Sequence, residues 1–126
     1  MLRWMCKGKI HRATVTDADI DYEGSVTIDA DLMKQANIYE HEMVQITNLR
    51  NAVLWKTYAI PAPAGSGKIC LNGPPALLFQ PGDKVIILSM GSFSPEELVE
   101  GTHSVVHVDD QNRLIHVKTK KLIGHG

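Results

Sequence analysis

A small closed β-barrel is the fold class that this sequence predicts, and three observations predict it. Short runs of apolar residues alternate with polar ones, which is the period of a half-buried strand. Turn formers (Gly, Pro, Asn and Asp) interrupt those runs at close intervals. Only two or three short stretches carry helix signals, which disfavours a βαβ sheet and favours a mainly β barrel whose closure protects its strand edges. The 126 residues suit one domain, 1–126, around one core.

The elements follow in chain order. Residues 2–15 alternate, with Leu2, Trp4, Cys6 and Ile10 on one face and Lys7, Lys9 and His11 on the other. TDADIDYEG is turn-rich, and Ser25–Ile28 resumes a strand. Asp29 suits the N-cap of a helix through DLMKQAN, and Asn37 suits a left-handed C-terminal position. MVQITNL and VLWKTYAI form a hairpin through Arg50-Asn51-Ala52. PAPAGSG is a loop, KICLN a strand, and GPPALLF an irregular or single helical turn. PGD introduces the strand KVIILSM, and SPEEL caps a short helix. SVVHV and RLIHV flank DDQN as a last hairpin, leaving a basic, frayed tail.

Composition narrows the function. Apolar residues make up 44% and charged residues 21%, as in ordinary globular chains. A net charge of −1 gives no electrostatic case for nucleic acid or an anionic membrane surface as partner. The first twelve residues hold too many cations for a secretory segment, and no apolar run spans a bilayer, so the expected location is the cytoplasm. Cys6 and Cys70 lie far apart without CxxC spacing and read as buried, reduced thiols rather than a disulfide.

Few motifs carry chemistry. AGSGKI at 64–69 contains a fragment of a phosphate loop, but Ala62 and Ile69 stand where a glycine and a magnesium-binding hydroxyl are needed. It reads as a flexible loop. The histidines show no metal-ligand spacing, and His103 and His107 read as surface histidines, so no metal is expected. Gly24-Ser25, Lys9, His11, Tyr22, Thr57, Tyr58, Asn72 and Gly73 remain. Taken singly, each has an ordinary explanation in a turn or on a solvated strand face.

Together they are specific. KIHRATVTDADIDYEGSVTID closely resembles the amino-terminal segment of the pyruvoyl-dependent aspartate decarboxylase family, and the likeness continues in register through KTYAI, ICLNG and GDKVIIL. The resemblance implies a six-stranded double-psi β-barrel with short appended helices. It implies a self-processing amino-acid α-decarboxylase that converts L-aspartate to β-alanine and carbon dioxide, a step in pantothenate supply. It also implies a cofactor made from the chain, a pyruvoyl group at residue 25, with neither metal nor pyridoxal phosphate.

A serine hydroxyl beside a peptide carbonyl supplies the route. Attack by Ser25 converts the Gly24–Ser25 amide to an ester, β-elimination releases Gly24 as a carboxyl terminus, and hydrolysis of the dehydroalanine gives pyruvoyl and ammonia. The products are chains 1–24 and 25–126. A glycine at 24 suits strained backbone and an approachable carbonyl, and a strand start holds the nucleophile near its target.

The resemblance assigns the other roles. The pyruvoyl carbonyl takes the substrate amine and accepts electrons as carbon dioxide leaves. Tyr58 corresponds to the proton donor, Thr57 to the residue that stabilises the oxyanion of self-cleavage and touches substrate, and Tyr22 to part of the cleavage set. Asn72 and Gly73 open the substrate loop, and Lys9 and His11 present positive charge to an anionic substrate. A homotetramer with sites between subunits is implied; whether a helper protein is needed is left open.

Two departures fall on recognition. The family's carboxylate-anchoring arginine, four residues before the tyrosine, is Leu54 here, and Asn-Gly-Ala-Ala becomes Asn72-Gly73-Pro74-Pro75, removing two N–H donors. Arg50, Lys56 and Lys9 are the candidate replacements. Lys9 is placed best by the resemblance, Lys56 alternates away from Thr57, and Arg50 lies on a turn. The alternatives are the same chemistry on a less acidic amino acid, and an unprocessed, non-catalytic barrel acting as a binding or regulatory module.

Overall fold

A computed structural model describes residues 1–123. The strands are β1 (Arg3–Thr14), β2 (Asp17–Asp19), β3 (Ser25–Asp29), β4 (Met43–Asn48), β5 (Leu54–Ala62), β6 (Ile69–Asn72), β7 (Lys84–Phe93), β8 (Thr102–Val108) and β9 (Leu114–Lys121). Two helices, α1 (Ala30–Gln35) and α2 (Pro95–Glu100), and a 3-10 turn, Pro74–Leu77, complete the order. The strands hydrogen-bond as β2-β6-β3-β5-β4-β7-β1-β8-β9. Only Val15 and Thr16 separate β1 from β2, and there the chain changes neighbours: Val15 N–H donates to Asp83 O and Thr16 N–H to Ile69 O, both at 2.8 Å. One run thus pairs with β7 at one end and β6 at the other, closing a ring of six staves. Two of its pairings are parallel, β2 with β6 and β3 with β5. The expected mainly β, small barrel is present, with β8 and β9 as a flap outside it.

The inside of the ring is one apolar cluster to which every stave contributes: Ile10, Val26, Ile46, Ala59, Leu71 and Ile87 are each fully buried. Alternation therefore turns Ser25, Thr27, Tyr58 and Asn72 to the outer face. The helix and hairpin signals act as expected. Asp29 accepts from Asp31 N–H, Asn37 and Ala52 have φ 58° and 61°, and Ser94 with Glu97 forms a capping box. The AGSGKI loop spends its N–H groups on protein: Gly65 and Gly67 donate to the Asp29 carboxylate at 3.1 and 2.9 Å. No helix among the described residues is long and apolar enough to cross a membrane.

Several expectations need correction. TDADIDYEG contains a strand, β2, because the run out of β1 needs a partner when it leaves β7. Cys6, expected to be buried, is only half-buried, and its stripe neighbours Leu2 and Trp4 are 63% and 62% exposed. Register shifts at Cys6–Gly8 and Ile10–Ala13, with Arg12 at φ 60°, break the alternation of β1. The basic segment Lys118–Lys121 is paired in β9 opposite Thr102–Val105, so it is not frayed. The last three residues of the expected tail lie outside the described ones.

Candidate active site

Ser25 is the first residue of β3, fully buried, and lies opposite Asn72 of β6. Asn72 Nδ2 donates to Ser25 Oγ and to Thr27 Oγ1, each at 2.9 Å, and Cys70 Sγ lies 3.2 Å from Asn72 Oδ1. Ser25 Oγ donates to Glu23 O at 3.0 Å. Its hydrogen bond thus reaches the carbonyl two residues back rather than that of the adjoining Gly24.

The strain expected at Gly24 sits across from it. Gly24 lies outside the positive-φ residues, and a Cβ there would meet only Pro74 Cδ, at 3.8 Å. Gly73 has φ 77°, and a Cβ on it would stand 2.8 Å from Gly24 Cα and 3.0 Å from Gly24 N. Close approach of the two backbones is what requires glycine here. Gly73 N–H donates to Asp19 O at 2.8 Å, fixing this approach to β2. Pro74 and Pro75 open the 3-10 turn, where missing N–H groups cost little.

The β3–β5 ladder begins at Val26–Ala59, so one step back stands Ser25 with Tyr58 and two steps back Gly24 with Thr57. Thr57 is 7% exposed, on the inward face. The Tyr58 ring lies 6.0 Å from that of His41, a neighbour that no pattern in the sequence announced. Cys70 is a second such residue, although the Cys-x-Asn spacing does place it on one strand face with Asn72. Tyr22 and Asn72 line a cavity of about 330 Å³ together with Asp19, Thr27 and Cys70.

Lys9 and His11 are elsewhere. They line a separate cavity of about 290 Å³ with His103, His107, Lys118 and Lys120. The His11 ring is edge-on to His107 at 5.5 Å, and His107 stacks on His116 at 4.3 Å. Partial burial, then Lys9, His107 and Arg12, hold the His11 imidazole below its ordinary pKa. Among the described residues no group of three or more His, Cys, Asp or Glu is arranged for a metal ion.

The replacement cations also separate. Arg50 is engaged, with Nε and Nη2 donating to the Asp83 carboxylate at 2.8 and 3.1 Å. Leu54, Lys56 and Tyr58 alternate on one face of β5, with Leu54 52% exposed. Lys56 lines a surface hollow with Trp4 and Met43.

The sequence model described as aspartate decarboxylase matches residues 1–115. A protein from Heliobacterium modesticaldum named aspartate 1-decarboxylase is 51% identical over 115 residues, 91% of this chain and 87% of the relative. Proteins of the same name from Lactiplantibacillus plantarum and Bacillus cytotoxicus are 53% and 46% identical, covering 90% and 98% of this chain and 88% and 98% of their own. With these matches across a closed barrel that buries a serine at the head of β3, the chain belongs to the aspartate decarboxylase family.

Proposed function

We propose that this chain is an aspartate 1-decarboxylase that cuts itself between Gly24 and Ser25 and works through the pyruvoyl group so formed, releasing carbon dioxide and β-alanine from L-aspartate. One observation carries it: a buried serine hydroxyl at a strand start, held by Asn72 beside a glycine whose flank is open. The residues fit the group, since it is Ser25 itself that is transformed and no further ligand is required. The pyruvoyl supplies a carbonyl that takes the substrate amine and withdraws electrons as carbon dioxide leaves. Thr57, level with Gly24, supports negative charge on the Gly24 carbonyl oxygen during cleavage. Tyr58, level with Ser25, returns a proton to the substrate carbon. Lys9 and His11 attract the carboxylates.

A homotetramer in the cytoplasm belongs to this reading. It is supported by the placement of Lys9 and His11 in a different cavity from Tyr22 and Asn72 within one protomer, which a neighbouring subunit would repair, and by exposed Trp4 and Met43. Light scattering should give the mass of four protomers per particle; a monomer at micromolar concentration would refute it. The experiment for the main reading is intact-mass analysis of the purified chain and of Ser25→Ala. The first should split into 1–24 and a larger fragment blocked at its amino terminus, and release carbon dioxide from L-aspartate; the second should stay whole. A wild-type chain that stays whole after prolonged warm incubation rejects the proposal. Leu54, with Arg50 committed to Asp83, favours a second reading in which a less acidic amino acid is the better substrate.

A further inference from the structure

We propose that Cys70 is a positioning residue for self-cleavage, setting the sense of the Asn72 side chain that holds Ser25; this rests on the self-processing reading above. Asn72 is 3% exposed between β3 and β6 and has hydroxyl groups on one side. Thr27 can donate or accept and would satisfy either sense of the amide, whereas Ser25, which gives its proton to Glu23 O, accepts. The thiol locks that sense. Cys70 is 4% exposed and its sulfur lies 3.2 Å from Asn72 Oδ1. Burial, chiefly, raises the Cys70 pKa, so at neutral pH the group carries its proton and donates. In the reversed sense an N–H would face sulfur, a weak acceptor, and Oδ1 would compete for the Ser25 proton.

A directed chain results: Cys70 S–H to Asn72 Oδ1, Asn72 Nδ2–H to Ser25 Oγ, Ser25 O–H to Glu23 O at 3.0 Å. Each proton has one acceptor. When Oγ attacks the Gly24 carbonyl carbon, the Oγ–C bond forms, the C–N bond breaks, and the hydroxyl proton ends on the amine of residue 25. An N–H on Oγ fixes its rotamer and supports the negative charge that develops as that proton departs. Cys70 touches no reacting atom; its effect passes through Asn72.

The test follows the uncut chain through warm incubation by intact mass, in wild type, Cys70→Ala, Cys70→Ser, Asn72→Ala and the double variant Cys70→Ala/Asn72→Ala. Loss of one neutral hydrogen bond should slow cleavage in Cys70→Ala by roughly 2- to 10-fold. Cys70→Ser, which keeps a donor, should restore the rate to within about twofold of wild type. On the Asn72→Ala background Cys70→Ala should add nothing, because the two act as one unit. Melting curves confirm that every variant is folded. Wild-type rate in Cys70→Ala, no rescue by Cys70→Ser at equal melting temperature, or additive losses would each overturn the proposal. A second readout needs no cleavage: on the Ser25→Ala background, the Asn72 side-chain amide protons should exchange several-fold faster in Cys70→Ala than in Cys70→Ser. Equal exchange overturns the contact itself. Unequal exchange in a protein whose wild-type form never splits rejects self-processing and, with it, the role of Cys70.

Discussion

At Gly73 a single methyl group reaches the junction that is proposed to split. The residue has φ 77° and ψ −145°, a region that side chains avoid at a cost of roughly 1–3 kcal/mol. An alanine Cβ would also stand 2.8 Å from Gly24 Cα and 3.3 Å from Tyr22 O, so backbone has to give way. Overpacking of that kind adds roughly 1–3 kcal/mol. At about 4 °C per kcal/mol for a chain of this size, the combined roughly 2–6 kcal/mol lowers the melting temperature by roughly 8–24 °C. Melting is compared on the Ser25→Ala background, so that every sample is uncut. With Ser25 present, intact mass follows cleavage, which should slow by roughly tenfold or more, since a displacement near 1 Å costs about 10²-fold. Gly24→Ala is the control: its Cβ meets only Pro74 Cδ at 3.8 Å, and its melting temperature should stay within about 2 °C. Equal melting of the two alanine variants, or unimpaired cleavage in Gly73→Ala, would refute the argument that Gly73 carries the strain of this junction.

If the phenol serves reprotonation only, as proposed, Tyr58→Phe should still split but lose roughly 10²–10⁴-fold in carbon dioxide release; near wild-type turnover would move that role elsewhere. If Lys56 replaces the missing arginine from its place on the Leu54–Tyr58 face, Lys56→Met should weaken aspartate use by roughly 10- to 150-fold, and Leu54→Arg should gain little. Carbon dioxide release across a panel of L-amino acids measures both, and an unchanged Lys56→Met variant with a large gain in Leu54→Arg would show that the role is vacant. Arg50, above all, holds the Asp83 carboxyl at about 2, below its ordinary 3.8. Because the folded value is the lower one, this stabilisation is complete above about pH 4 and is lost as pH falls toward 2. Asp83→Asn should therefore flatten the acid limb of a stability–pH curve. His11, held below its ordinary value, should destabilise the fold as pH falls below about 6.5, and His11→Gln should remove that component.

The barrel was legible because its staves obey a period of two. Val26/Ile28, Val44/Ile46 and Val85/Ile87 announce their inward faces directly, and Asp29, Asn37 and Ser94 announce helix ends through side-chain chemistry. β2 was not legible, since three residues reading Asp-Ala-Asp carry no apolar alternation and are strand only because β6 is there to receive them. Nor was the break in β1, where Arg12 takes a left-handed conformation without the glycine or asparagine that usually marks one. The site divides similarly. Gly24-Ser25 and Asn72 stood out through resemblance to a family, not through spacing. The facing positions of Ser25 and Asn72 on β3 and β6 arise from a register between strands more than forty residues apart, whereas the grip of Cys70 on Asn72 follows from their spacing of two along β6. The distance of Lys9 and His11 from Ser25 was hidden because alternation fixes a face, not which stave lies next to which.

The stave that precedes the proposed cut has a consequence for how the mature protein lives. β1 is clasped on both sides, antiparallel to β7 and parallel to β8, and β2 is tied to β6. Severing Gly24 from Ser25 leaves that segment in place but turns a one-chain folding problem into an encounter between two molecules. The uncut chain can unfold and close its barrel again within one molecule. The cut form, once opened, recovers at a rate that depends on concentration, and the larger fragment meanwhile exposes the edges of β6 and β7. Under the proposed self-cleavage, maturation would work as a ratchet: the reaction that creates the electrophile would also remove the covalent memory by which the barrel first closed.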